Sequence, residues 1–251
     1  MTKYYIIIIN LLLLTLAAIP EKAEARIDST TYRLGLGLST VAIIGNNPGS
    51  DSFLIDESDT TRYGGAFSGP KPGIEARLSI NLDKKGDIML PIGLTYQFYA
   101  ANRTYPQGRN ASQKIHHELN TLNLYTGLHY VILRLPLAES KIYAGMEVWN
   151  TYVHNIGYSI ATNYLDPEFR DEIEHFDTKD ESWRLGGLIR LGVQGRLANG
   201  WTINTGFGIS YMNLFGRDNQ RGELLTPFDY FEVQESAVYK FHYSLLIQKD
   251  L

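Results

Sequence analysis

Eight segments of this chain alternate apolar with polar side chains, and the connections between them alternate short with long. A period of two gives a strand two unlike faces, so few folds accept eight such segments in succession. They cover 31–44, 73–82, 87–99, 119–132, 141–154, 182–197, 201–213 and 236–248. In the second, Ile74, Ala76, Leu78, Ile80 and Leu82 form one row and Glu75, Arg77, Ser79 and Asn81 the other. The third sets Ile88, Leu90, Ile92, Leu94, Tyr96 and Phe98 against Pro91, Gly93, Thr95 and Gln97. The last sets Tyr239, Phe241, Tyr243, Leu245 and Ile247 against Lys240, His242 and Ser244.

Short connections follow the second, fourth and sixth segments: Asp83-Lys84-Lys85-Gly86, a turn around Pro136, and Ala198-Asn199-Gly200. Long ones follow the first, third, fifth and seventh. That rhythm predicts an all-β, antiparallel up-and-down barrel of eight strands, with short turns on one side of a membrane and long loops on the other.

Alternation alone also fits a soluble, lipocalin-like barrel that holds an apolar ligand. Three features favour the membrane form. The polar rows carry Gly35, Gly37, Gly93, Gly127, Gly145, Gly186, Gly192, Gly206 and Gly208, and an eight-stranded barrel has room inside only for its own side chains. The apolar rows carry no Asp, Glu, Lys or Arg through the strand cores. Aromatics on those rows gather at both ends: Tyr32, Tyr130 and Trp201 near the short turns, Tyr96, Phe98, Tyr152, Trp183, Tyr211 and Tyr239 near the loops. Such belts mark the two edges of a bilayer.

The N-terminus adds a compartment. Lys3, the apolar stretch Ile6 to Ile19 and the small-x-small site Ala23-Glu24-Ala25 form the pattern of a secretory signal peptide over 1–25. The mature chain, 26–251, then starts near Arg26 and reads as one domain. It has no cysteine, which excludes disulfides and a lipid anchor on an N-terminal Cys. A formal charge of −4 argues against nucleic acid as a partner. The 17 tyrosines and 23 glycines, with only 20% charged residues, suit a β-rich wall.

Taken together, these segments resemble the small eight-stranded outer-membrane barrels of the outer membrane protein A and X type. The resemblance spans nearly all of the mature chain and rests on architecture. It implies the outer membrane of a Gram-negative-type bacterium, periplasmic turns, surface loops, and insertion by the outer-membrane assembly machinery. Its partners would be the bilayer, lipopolysaccharide and a molecule met by the loops. Barrels of this type often end in an aromatic residue; here the chain ends Gln248-Lys249-Asp250-Leu251.

The inward rows carry Arg33, Glu75, Arg77, Glu147, Arg184, Arg190, Arg196 and Lys240. Charges in a narrow lumen must pair or meet water. Glu147 and Arg190 fall near mid-height on neighbouring strands and are expected to pair. The row serves as a structural plug, or else lines a narrow channel for ions or small solutes that prefers anions.

The third long loop, 155–181, is acidic, and Asp166, Glu168, Asp171, Glu172 and Glu174 offer oxygen ligands for Ca²⁺ or Mg²⁺ without an EF-hand spacing. His116 and His117 are expected at the surface. Loops one (45–70) and two read as exposed and mobile. His242-Tyr243-Ser244 matches the His-x-Ser pattern of the lipid A deacylases, but both side chains fall on the inward row, away from lipid. The expectation is a non-enzymatic structural or surface-interaction protein without a cofactor.

Overall fold

A computed structural model describes residues 32–44, 53–54, 62–63, 67, 69–175, 181–215 and 238–251. The signal peptide expected at 1–25, most of the first long connection and most of the fourth lie outside the described residues.

The strands are β1 (Tyr32–Ile44), β2 (Phe53–Leu54), β3 (Arg62–Tyr63), β4 (Lys71–Asn81), β5 (Ile88–Gln107), β6 (Ala111–Leu135), β7 (Ser140–Tyr164), β8 (Glu172–His175), β9 (Glu181–Arg196), β10 (Trp201–Phe215) and β11 (Tyr239–Asp250). Nine of them form one antiparallel sheet in the order β6-β5-β4-β1-β11-β10-β9-β7-β8, and β6 also pairs with β7. Following the pairs from β6 to β7 and back returns to the start. Every long strand therefore has a partner on both sides, and only the short β8 hangs from the far end of β7. Among the described residues β2 and β3 pair only with each other.

The short connections are closed by local chemistry. Asp83 Oδ1 accepts from the backbone N–H groups of Asp87 and Ile88, at 2.7 and 2.8 Å. Gly86, at φ +63°, takes the left-handed step that this turn needs. Turns of Leu137–Glu139 and Ala198–Gly200 close the other two.

The two faces of the sheet differ. On the outer face Leu36, Met146 and Ile189 are 65%, 70% and 65% exposed. On the enclosed face Glu75, Arg77, Thr95, Gln97, Asn123 and Arg190 are buried. This inverts the polarity of a soluble protein, where apolar side chains go inside.

Beyond the loop-end aromatics the polarity reverses again. In β5 the outer row changes from Leu94, Tyr96 and Phe98 to Ala100, Asn102 and Thr104, while the enclosed row changes from Thr95 and Gln97 to Tyr99 and Ala101. In β6 the outer Leu122 and Leu124 give way to Ser112, Lys114, His116 and Glu118; the enclosed Thr121 and Asn123 give way to Ile115 and Leu119. β1 and β10 follow, with Val41, Ile43 and Met212 enclosed at that end. These side chains join Phe67, Tyr99, Leu119, Val153 and Val238 in one apolar cluster across the loop end.

Three strands are longer than the sequence rhythm predicts. Residues 100–118, expected as a loop, form a hairpin in which β5 and β6 stay paired to Gln107 and Ala111. β7 continues from the expected end at His154 to Tyr164. Between them lies a bulge, where Glu118 pairs with Gly157 and Asn120 with His154, leaving Asn155 and Ile156 opposite Leu119. Asn155 adopts φ +53°, a conformation that asparagine tolerates better than most residues. The extra residue shifts the phase of β7 by one, so Val153 and Tyr158 share the enclosed face.

Candidate functional site

Four charged side chains fill the middle of the enclosed space. Glu147 holds Arg190 through Nε at 2.6 Å and Nη2 at 3.0 Å, the pair expected from the sequence. Its carboxylate also accepts from Trp149 Nε1 at 2.8 Å and lies 2.8 Å from His129 Nε2. Glu75 takes Arg77 Nη2 at 2.5 Å and accepts the hydroxyl of Tyr125. Arg77 Nε donates back to the Tyr125 oxygen at 2.8 Å. Ser244 Oγ accepts from Arg190 Nη1 at 2.8 Å and from Arg77 Nη2 at 3.5 Å, which links the two halves. Two carboxylates thus face two guanidinium groups, and the enclosed charge at mid-height closes to zero.

Aromatic rings share this layer. Tyr125 stacks on Trp149 at 4.8 Å between centroids, and His242 meets Trp149 edge-on at 5.0 Å. Room for the tyrosines comes from glycines directly across the strand pair: Gly93 opposite Tyr125 and Gly192 opposite Tyr143. A Cβ on Gly93 would lie 2.2 Å from the Tyr125 ring, and one on Gly192 2.3 Å from the Tyr143 ring. Tyr125, Tyr143, Trp149 and His129 escaped the sequence reading, although each lies on an inward row. The usable signal was an aromatic side chain in a polar row with glycine on the next strand.

The remaining inward charges sit nearer the ends. Arg184 and Lys240 are buried towards the loop end, where Arg184 donates to Ser182 Oγ and, at 3.0 Å, to Trp183 O. Arg33 is half-buried at the short-turn end and pairs with Asp250 at 2.9 Å. Arg196 pairs across from Thr202, which is enclosed, but stands exposed at the mouth and reaches Glu139 at 3.0 Å. The strand ends there, so its guanidinium finds water and a carboxylate. With Lys141, Gln194 and Thr202 these groups line a cavity of about 180 Å³.

The outer aromatics make contact around the loop end. Phe98 touches Tyr96 at 4.8 Å, Tyr96 meets His154 at 5.7 Å, His154 stacks on Tyr152 at 5.4 Å, and Tyr152 meets Trp183 at 4.7 Å. Tyr211 and Tyr239 pair at 5.0 Å. His154 belongs to this row although the sequence reading did not include it. Tyr32, Tyr130 and Trp201 are exposed at the other end, where Lys249 Nζ lies 5.4 Å over the Trp201 ring.

Two expectations for the loops change. His117 is not a surface residue: it is fully buried between Phe67 at 4.4 Å and Tyr158 at 5.2 Å, because its strand alternation turns it inward above the polar layer. His116 points outward, 2.9 Å from Asn102 Oδ1. The acidic stretch is not a plain loop, since Glu172 and Glu174 belong to β8. Asp166 and Asp171 accept backbone N–H groups of Glu168 and Tyr164, both at 3.0 Å. Among the described residues no group of three or more His, Asp or Glu side chains is placed to hold a metal ion.

No family model matches the chain, and no curated protein matches it in sequence. Solved structures resemble it at low identity. OprG of Pseudomonas aeruginosa, an outer membrane protein, aligns at 13% identity over 88% of this chain and 95% of its own, with a TM-score of 0.42. Neisserial surface protein A aligns at 12% over 89% and 97%, with a TM-score of 0.39. Ail, the attachment invasion locus protein of Yersinia pestis, aligns at 8% over 88% and 97%, with a TM-score of 0.38. Scores this low assign no function, and the reading below rests on the chain itself.

Proposed function

We propose that this chain is an eight-stranded transmembrane β-barrel of a Gram-negative-type outer membrane, with a structural and surface-interaction role. The observation that carries the reading is the double change of polarity along the strands. An apolar outer band bounded by aromatics fits hydrocarbon, and the return to a polar outer row beyond Phe98 fits water. The span also agrees: ten residues from Trp201 to Tyr211, at about 3.3 Å each and a tilt of roughly 40°, cover about 25 Å of bilayer.

The interior supports a strut rather than a path. Its mid-height is occupied by a closed network of ion pairs and stacked rings, and the loop end is capped by apolar side chains. The lipid A deacylase alternative finds no support in the position of Ser244, which is fully buried and held by Arg190. The export signal, insertion by the assembly machinery and contact with lipopolysaccharide belong to the same proposal.

The test is fractionation of cells that express the full chain, followed by a detergent gel of unheated and boiled samples. The protein is expected in the outer-membrane fraction, with a mobility shift on boiling. A freely soluble periplasmic protein without a shift would refute the reading and favour a soluble binder.

A further inference from the structure

The β5–β6–β7 extension ends far from the proposed bilayer. Phe98 to Gln107 is nine residues along β5, or roughly 23 Å at about 3.3 Å per residue and a tilt of about 40°. Yet the tip exposes large apolar side chains. Leu165 is 78%, Ile173 64% and Phe169 60% exposed. Exposed apolar clusters with a polar rim mark contact sites for other molecules. The tip is held in place: Tyr164 packs on Phe169 at 5.5 Å, and Leu165 N donates to Asn110 O of the neighbouring turn at 2.7 Å, while Ile173 stands on β8 opposite Ala161.

β8 supplies an independent observation. It pairs with β7 along one side, from Ser159 with His175 to Thr162 with Glu172, and with no strand on its other side among the described residues. All four of its residues are exposed. Strand alternation puts Glu172 and Glu174 on one face and Ile173 on the other. Two copies of β8 laid side by side would bring glutamates together, which disfavours self-pairing. A strand that alternates basic with apolar residues would instead satisfy both faces.

We infer that β8 and the apolar tip form a docking edge for an extended segment of a partner protein, in which Lys or Arg alternates with apolar residues. The segment adds as a strand beside β8. Main-chain hydrogen bonds hold it, the glutamates set its charge, and Ile173 sets its register. The inference rests on the surface-interaction reading above and names the chemistry of the partner.

The test uses the full mature protein folded in zwitterionic micelles and a fluorescent ten-residue peptide that alternates Lys and Val. A peptide of the same composition with the lysines in one block is the control, and protein-free micelles set the background. Anisotropy should show binding of the alternating peptide alone. Glu172→Lys with Glu174→Lys should weaken it about tenfold or more. The same charge change placed at Glu118 and Glu139 should alter it less than about twofold. Equal binding of both peptides, equal loss in both variants, or no binding would overturn the inference. The boiling shift of each variant reports whether the barrel is folded, so failure of docking and failure of the membrane reading are read separately.

Discussion

Replacing Glu147 with glutamine removes one of the two negative charges that balance the middle of the enclosed space. The carboxylate serves Arg190 twice, Trp149 once and His129 once. An amide offers a single acceptor oxygen, and its NH₂ would face donors on Arg190 or Trp149. Arg190 keeps Ser244 at 2.8 Å, but the enclosed layer gains a net positive charge. Breaking a buried pair from one side typically costs about 3–5 kcal/mol, and the Ser244 contact places Glu147→Gln near the lower end, about 3 kcal/mol. With an unfolding slope of about 1–3 kcal/mol per molar urea, the midpoint should fall by roughly 1–3 M. Tryptophan fluorescence of protein unfolded from lipid vesicles reads this shift. Adding Arg190→Met should recover part of the loss, because the uncompensated charge goes too. A cost below about 1 kcal/mol, or strict additivity of the two changes, would refute the paired interior.

Other consequences can be measured on the same preparation. Leu36→Arg, in the outer band, should destabilise the folded state by about 2–4 kcal/mol, whereas Ser112→Arg, on the extension, should change the urea midpoint little. Gly93→Ala should drive the Tyr125 ring from its place and cost about 1–3 kcal/mol; in a Tyr125→Ala background the same glycine change should cost little, seen as boiling-shift temperatures of Tyr125→Ala and of the double variant that lie close together. In planar bilayers the protein should give no steady conductance. A stable open state of uniform size would contradict the filled interior and revive the ion path.

Much of the wall was legible because hydrogen-bonded strands repeat every two residues. The outer rows of β4, β5 and β11 could be read directly, and with them the short turns. The pairing of Glu147 with Arg190 followed from matching heights on adjacent strands. What stayed hidden were the places where the period breaks. At Asn155 the backbone inserts a residue, so the enclosed row changes from odd to even positions and a fixed alternation ends the strand there. In β5 and β6 the backbone is regular, but apolar residues move from the outer row to the enclosed one, as the proposed passage from bilayer to water requires. A reading built on constant parity ends the strand there, which is why His117 was placed at the surface. An aromatic in a polar row flags Tyr125 and Tyr143, but which glycine each ring faces depends on the cross-strand register, which a single sequence does not supply.

The central claim is that the polarity change marks the surface of a bilayer. The chain has no cysteine, so single cysteines can be placed freely and labelled with a polarity-sensitive dye. Leu94 and Leu124 lie inside the band; Asn102 and Lys114 lie on the same outer rows beyond Phe98 and Asn120. In vesicles containing brominated lipids, dyes at the first two should emit as in hydrocarbon and be quenched strongly, while dyes at the last two should emit as in water and be quenched little. Similar emission and quenching at all four positions would contradict the account.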